Sequence, residues 1–292
     1  MHAPTWRDLL ACPLCHAALE GSAPARCTSC HRSWNPHEGA LDLVPPDLGA
    51  STDAGWRRWR EALAGLDAWR ARQRSPVMTS APAVDARIVA LVRDANLAGS
   101  VIDVGGKDGA KRHAMPPAVV RYLSVDPCAV ARDEPDTERG GALSWGAVRG
   151  VAEALPLRDA CADAVFSTAA MDYFVDTSRG VAEFARVLRD GGTLALLVTA
   201  HPPHVAQARE GQTRVTRALR ALAPGVAREV GVRAAVSLAF DGARASAREH
   251  TRYLTEGDVL AALAAHFDVR SIGRDRGRYS TTLRIVATKR RA

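Results

Sequence analysis

Between residues 100 and 200 the chain alternates short apolar runs with polar, helix-length stretches. Val101-Ile102-Asp103-Val104, Tyr122-Leu123-Ser124-Val125, Ala164-Val165-Phe166-Ser167 and the run from Thr193 to Thr199 are too short for helices, and they are rich in β-branched and aromatic residues. They read as buried strands. Apolar positions at helical spacing over 83–97, and a helical stretch ending in Arg186-Val187-Leu188-Arg189-Asp190-Gly191-Gly192, separate or precede them. Strands alternating with helices imply an α/β chain built on a parallel sheet. After Thr199 the pattern predicts an arginine-rich helix over 205–223, a strand or short helix over 232–240, and a helix entered at 250–255 and running to Phe267. Two closing strands follow, at roughly 268–274 and 281–288. The polar, acidic stretch 133–146 reads as a surface loop.

Two features add chemistry to this pattern. The first strand runs into Gly105-Gly106-Lys107-Asp108-Gly109, a turn whose glycines let backbone approach a ligand and which reads as opening a helix with free N–H groups. About 20 residues on, the second strand ends in Asp126, the spacing at which such folds place a carboxylate on a ribose hydroxyl. A third piece, Val151-Ala152-Glu153-Ala154-Leu155-Pro156-Leu157, precedes the strand that ends in Ser167-Thr168.

In this order and spacing, residues 100–199 resemble the class I S-adenosylmethionine-dependent methyltransferases. Ala-Glu-Ala-Leu-Pro at 152–156 and Arg-Val-Leu-Arg-x-Gly-Gly at 186–192 carry most of the likeness. The resemblance implies a Rossmann-like, seven-stranded sheet whose final strand is antiparallel. It also implies that Asp103, Gly105 and the backbone around Gly106 and Gly109 hold the methionine part, that Asp126 takes the ribose, that Ala152 and Glu153 lie by the adenine, and that Ser167 and Thr168 end the fourth strand at the cofactor. Two departures stand out: Lys107 occupies the place of a usual glycine, and Val151 that of a usual acid. The lysine must point away from the cofactor or meet its carboxylate.

Composition narrows the class. The 292 residues are 47% hydrophobic, enough for a large core, and the formal charge is +7. That charge is uneven, with 17 Lys/Arg against 8 Asp/Glu over 201–292 and 22 against 24 before it. A basic surplus suits a polyanion such as RNA, but no run interleaves aromatics with the arginines, so solvated helix faces account for it better. No apolar run approaches the ~20 residues that cross a bilayer, and the N-terminus lacks a leader pattern, which predicts a cytoplasmic protein.

Four of six cysteines form Cys12-Pro13-Leu14-Cys15 and Cys27-Thr28-Ser29-Cys30. Two Cys-x-x-Cys pairs predict a structural, four-sulfur zinc knuckle with no open position for chemistry. His16 and His31, one after each pair, are expected outside the ligand set. The segment resembles zinc ribbons that precede some methyltransferase domains, such as the zinc finger before one group of ribosomal RNA guanine methyltransferases, and it is similar to the ribbon of the small bacterial proteins that activate tRNA methyltransferases.

The expected organisation is a zinc ribbon over 1–48, a linker and tryptophan-rich helix over 49–80, and a cofactor domain over 81–292 with a helical cap at about 201–252. Trp56, Trp59 and Trp69 at helical spacing suit docking of the ribbon or of a second subunit, as in a homodimer. His201 and His204 beyond the fifth strand, and Asp172 and Tyr173 beyond the fourth, are the candidate acceptor-side groups. The leading reading is methyl transfer to O or N of a small-molecule acceptor. RNA methylation and a non-catalytic binding protein with an altered loop are the alternatives.

Overall fold

Val101, Tyr122, Trp145 and Phe166 point to one side of a sheet, and Ile102, Leu123, Val148 and Val165 to the other, so each strand is buried on both faces. Helices must therefore cover both faces, as in parallel sheets. The computed structural model describes residues 5–22, 24–46, 85–129, 142–203, 253–277 and 280–291. The expected linker and tryptophan-rich helix, His204 and the cap lie outside the described residues.

The principal strands are β6 (Gly99–Val104), β7 (Val119–Val125), β8 (Ser144–Arg149), β9 (Ala162–Thr168), β10 (Leu188–Ala200), β11 (Phe267–Arg276) and β12 (Thr281–Lys289). Five small strands precede them: β1 (Leu19–Glu20), β2 (Ala25–Cys27), β3 (Ser33–Trp34), β4 (Pro36–His37) and β5 (Ala40–Asp42). The large sheet runs β11-β12-β10-β9-β6-β7-β8-β5-β4, and β1-β2-β3 form a separate sheet. Strands β6 to β10 pair in parallel, while β12 is antiparallel to both β10 and β11. This is the Rossmann-like α/β fold with a reversed final strand that the sequence implied.

Helix α1 (Ala86–Ala95) covers the face bearing Tyr122 and Phe166; Asp85 caps its start and Asn96 ends it in a left-handed turn. Helices α2 (Thr177–Val187) and α3 (Glu256–Ala264) cover the opposite face. Asp176 caps α2, and Thr255 with Asp258 forms a capping box on α3.

Three expectations are corrected. The third sheet strand, β8, occupies 144–149, overlapping the end of the predicted loop over 133–146. Ser-Trp-Gly-Ala-Val-Arg gives little period-2 signal because it is buried almost throughout, with Trp145 packed against α1's face of the sheet. The helix expected after the glycine turn is a single 3-10 turn, Ala110–Ala114. Only 14 residues join β6 to β7, and Pro116-Pro117 forbids continuation, so the turn cannot use a full helix dipole. The third is the strand count of the sheet, which is extended by the ribbon. Its β5 pairs in parallel with β8, Leu41 opposite Val148, and β4 follows it, which raises the sheet from seven strands to nine. Leu9, Leu10, Cys12, Cys27, Trp34 and Leu43 belong to the same core as β6 and β9.

Candidate functional site

Strand order reverses beside β6: β7 and β8 extend from one side of it and β9 and β10 from the other. Open α/β sheets bind ligands outside the carboxyl ends of their strands at such a reversal. The loop Gly105–Gly109 and the segment Ser167–Ala170 meet there. Ser167 Oγ donates to the Val104 carbonyl at 2.8 Å, tying the ends of β6 and β9 together. Gly105 has φ of +80°, and a Cβ on it would strike Ala170.

The loop is anchored from below. Asp103 is fully buried, with Tyr122 Oη donating to one carboxylate oxygen and Lys111 Nζ lying 3.0 Å from the other. Burial, with the Asp103 carboxylate beside it, holds the Tyr122 phenol well above its ordinary pKa, so it remains a donor. Asp103 therefore ties the turn to Tyr122 and Lys111. Lys111, eight residues on, is the group the motif reading missed. The only sequence cue is its placement one turn into the segment after the glycines.

Lys107 has φ of +52°, the conformation for which glycine is usual, and its side chain is exposed. Its main chain does the work of the turn: the N–H donates to Asp126 Oδ2 at 3.0 Å, and the carbonyl accepts from Ser124 Oγ at 3.1 Å. Asp126 Oδ1 accepts from Cys128 N–H at 2.7 Å. The acid ending the second strand is thus locked against the first-strand loop. Gly109 has φ of +74° and starts the 3-10 turn, which Arg112 fixes by stacking on Trp145 at 3.9 Å. Lys107→Gly is expected to raise stability by up to about 1 kcal/mol through relief of left-handed strain, and to leave product affinity within roughly threefold. Chemical denaturation and calorimetry with S-adenosylhomocysteine check both, and a tenfold affinity loss would instead make the ammonium a ligand contact.

Ala152 and Glu153 are buried. Glu153 Oε1 accepts from the N–H groups of Val175 at 2.7 Å and Asp176 at 3.3 Å, and burial holds this carboxyl above its usual range. Its carboxylate thus pins the segment after β9 to the 151–157 stretch. Arg186 reinforces that stretch with bonds to the Leu155 and Leu157 carbonyls at 3.0 and 2.8 Å.

On the acceptor side, Asp172 is buried and Tyr173 exposed in the 3-10 turn Met171–Tyr173 just past β9. His201 is buried just past β10, with its N–H on the Leu254 carbonyl at 2.8 Å and its ring edge-on to Tyr253 at 5.3 Å. Because β9 and β10 are adjacent and parallel, these groups share the carboxyl end of the sheet.

The four knuckle cysteines converge, their sulfurs all within 4.8 Å of one another. The Cys12–Cys30 and Cys15–Cys27 separations are 3.7 and 3.4 Å, against about 3.8 Å for the edge of a tetrahedron with ~2.3 Å zinc–sulfur bonds. The sulfur set fits zinc. Cys27 Sγ also accepts from the Ser29 and Cys30 N–H groups at 3.4 Å. His16 and His31, at φ of +56° and +58°, make the left-handed turn that closes each knuckle, and both are exposed. The knuckle is stitched to the 151–158 stretch: Ala11 N–H donates to the Pro156 carbonyl at 2.9 Å and Arg158 N–H to the Leu9 carbonyl at 3.0 Å.

Residues 102–196 match the methyltransferase domain family. A 59-residue stretch is 46% identical to malonyl-[acyl-carrier protein] O-methyltransferase of Methylococcus capsulatus, covering 20% of this chain and 22% of that one. The match thus spans about a fifth of that relative. Among solved structures, geranyl diphosphate methyltransferase in complex with GPP and sinefungin is 13% identical with a TM-score of 0.47, over 70% of this chain and 76% of that one. A SAM-dependent methyltransferase of Methanosarcina mazei is 15% identical with a TM-score of 0.44, over 69% and 98%. The family match spans β6 to β10 and so takes in the whole loop, the acid of the second strand and the switch point. Over residues 102–196 the chain is therefore similar to a methyltransferase domain.

Proposed function

We propose that the protein transfers a methyl group from S-adenosylmethionine to an oxygen or nitrogen of a small-molecule acceptor, and that its four cysteines hold a structural zinc ion. The observation that carries the cofactor reading is the bond from Lys107 N–H to Asp126. It fixes a carboxylate, the acceptor a ribose diol donates to, against the glycine loop at the sheet's switch point. Gly105, Gly106 and Gly109 would flank the methionine end, Ala152 the adenine, and Ser167 and Thr168 the floor between β6 and β9.

When bound, the cofactor supplies an already activated methyl group, so the chain's part is positioning, exclusion of water and handling of one proton. His201 suits the last task. Its ring is packed on Tyr253 at the strand end, where a neutral imidazole can take a proton from an acceptor hydroxyl or amine. Asp172 and Tyr173 lie at the same end and would orient that acceptor.

Two observations favour a small acceptor over RNA. The relative with the 46% identical stretch is named for an acyl-carrier-protein substrate. Four described basic residues of the C-terminal segment also face acids, Arg274 with Glu256, Arg284 with Asp94, Lys289 with Asp190 and Arg290 with Asp268, and a cation paired in this way gives less pull on phosphates.

Incubation with methyl-labelled S-adenosylmethionine tests the reading, using a panel of carboxylate, phenol and amine acceptors, carrier-bound acyl groups and RNA transcripts. Label is expected in the small-molecule fraction at a rate insensitive to salt. Label confined to RNA, falling steeply with salt, would replace the acceptor. Product binding with no transfer to any class would favour the binding-protein reading.

A further inference from the structure

The chain holds only three lysines, at 107, 111 and 289, among 39 basic residues, and two of them are in the cofactor turn. Lys107 is exposed, whereas Lys111 is engaged: its ammonium is 3.0 Å from Asp103 Oδ1 and 3.2 Å from the Gly105 carbonyl, and 5.8 Å from the centre of the Phe166 ring. Its side chain is 20% exposed, whereas that of Asp103 is fully sealed. The turn's buried carboxylate and its first glycine carbonyl are thus engaged by a cation belonging to the protein itself.

An amino-acid end such as methionine's carries both an ammonium and a carboxylate. At this turn a ligand ammonium would meet acceptors that Lys111 already occupies, and a like charge beside them. A ligand carboxylate would meet the reverse. The lysine ammonium has three N–H donors; two are directed at Asp103 and Gly105, and its partly exposed side chain leaves the third able to reach an anion at the turn. The Asp103–Lys111 pair is electrically neutral, so an arriving carboxylate faces no net negative charge.

We propose that Lys111 makes the cofactor turn selective for the carboxylate of the ligand's amino-acid end, with the ligand's ammonium contributing little to affinity. The proposal rests on the cofactor reading above and adds which half of the zwitterion is recognised. It also assigns a role to a residue that the glycine pattern does not contain.

Calorimetry on the full chain tests it with three ligands: S-adenosylhomocysteine, its decarboxylated analogue and its deaminated analogue. Loss of the carboxylate is expected to weaken binding by about tenfold or more, and loss of the amino group by less than about threefold. The reverse ranking, or equal costs, overturns the proposal. Failure of S-adenosylhomocysteine itself to bind removes the cofactor reading and this proposal with it, so the two failures are distinguishable.

Lys111→Met alone would strand a buried carboxylate and threaten folding, so the variant arm is Lys111→Met with Asp103→Asn, checked by its melting curve. In the double variant the carboxylate is expected to lose its advantage, the decarboxylated analogue binding within about threefold of the parent ligand. A double variant that folds and still prefers the carboxylate assigns the selectivity elsewhere and overturns the role of Lys111.

Discussion

Exchange of Cys12 for serine is expected to abolish stoichiometric zinc and to lower the melting temperature by about 10 °C or more, because structural zinc contributes several kcal/mol to folding. The position makes the effect large. Cys12 and Cys27 are buried within the core shared by the ribbon and the main sheet, while Cys15 and Cys30 are exposed. Serine at 12 loses a ligand and also places a hydroxyl in apolar surroundings. Damage would not stop at the ribbon, since Ala11 next door is bonded to Pro156 and Leu9 to Arg158. Affinity for S-adenosylhomocysteine should therefore fall together with metal content. Metal analysis, thermal melting and calorimetry on the same samples check this. A variant without metal that melts within about 2 °C of the parent would show that the four sulfurs contribute nothing to folding.

Gly106→Val should have the largest effect on the cofactor site. A Cβ at 106 would collide with the Asp103 carboxylate and the Ser124 hydroxyl, and both residues are sealed beneath the loop. Neither can swing aside: Asp103 is held by Tyr122 and Lys111, and Ser124 by the Lys107 carbonyl. The loop must lift, and Lys107 N–H then loses its alignment with Asp126. We expect product affinity to fall by about 100-fold and stability by about 2 kcal/mol, the usual scale for overpacking a tight site. Gly257→Ala is the control. That glycine is exposed in the first turn of α3, with only the Thr255 hydroxyl near, so alanine there should stabilise by up to about 1 kcal/mol and leave binding unchanged. Wild-type affinity in Gly106→Val would mean that the turn does not carry the ligand.

Most of the strand pattern was legible because the sheet is buried on both faces, which leaves continuous apolar runs such as Val101-Ile102 and Leu194-Ala195-Leu196-Leu197-Val198. The two closing strands were equally plain, while the antiparallel direction of the last was implied by the resemblance. β8 was not, because glycine and arginine interrupt its short run, and its burial comes from neighbours distant in sequence: Trp6 packs over Gly146, and Asp42 meets Arg149. The merging of the ribbon into the sheet depends on β5 finding the free edge of β8, a pairing across about 100 residues that no local signal encodes.

In the site, glycine spacing and the acid at 126 foretold the turn, since backbone geometry restricts which residues can stand there. Side-chain direction was less legible. The glycine pattern does not show that Asp103 takes Lys111 and Tyr122 as partners, or that Glu153 turns its carboxylate to the backbone of 175–176. Both depend on partners, Lys111 and the segment after β9, whose approach is set by packing. Lys107 contributes its main chain to the turn in a left-handed conformation, with its side chain exposed.

The central claim is that the loop after β6 and the carboxylate ending β7 together hold an adenosyl ligand. Isothermal calorimetry of the zinc-loaded protein with S-adenosylhomocysteine tests it most directly, with Asp126→Ala measured alongside. The account predicts one site of micromolar affinity that Asp126→Ala weakens by at least about tenfold while the protein stays folded. Absence of binding by the folded parent, or unchanged affinity in Asp126→Ala, would contradict it.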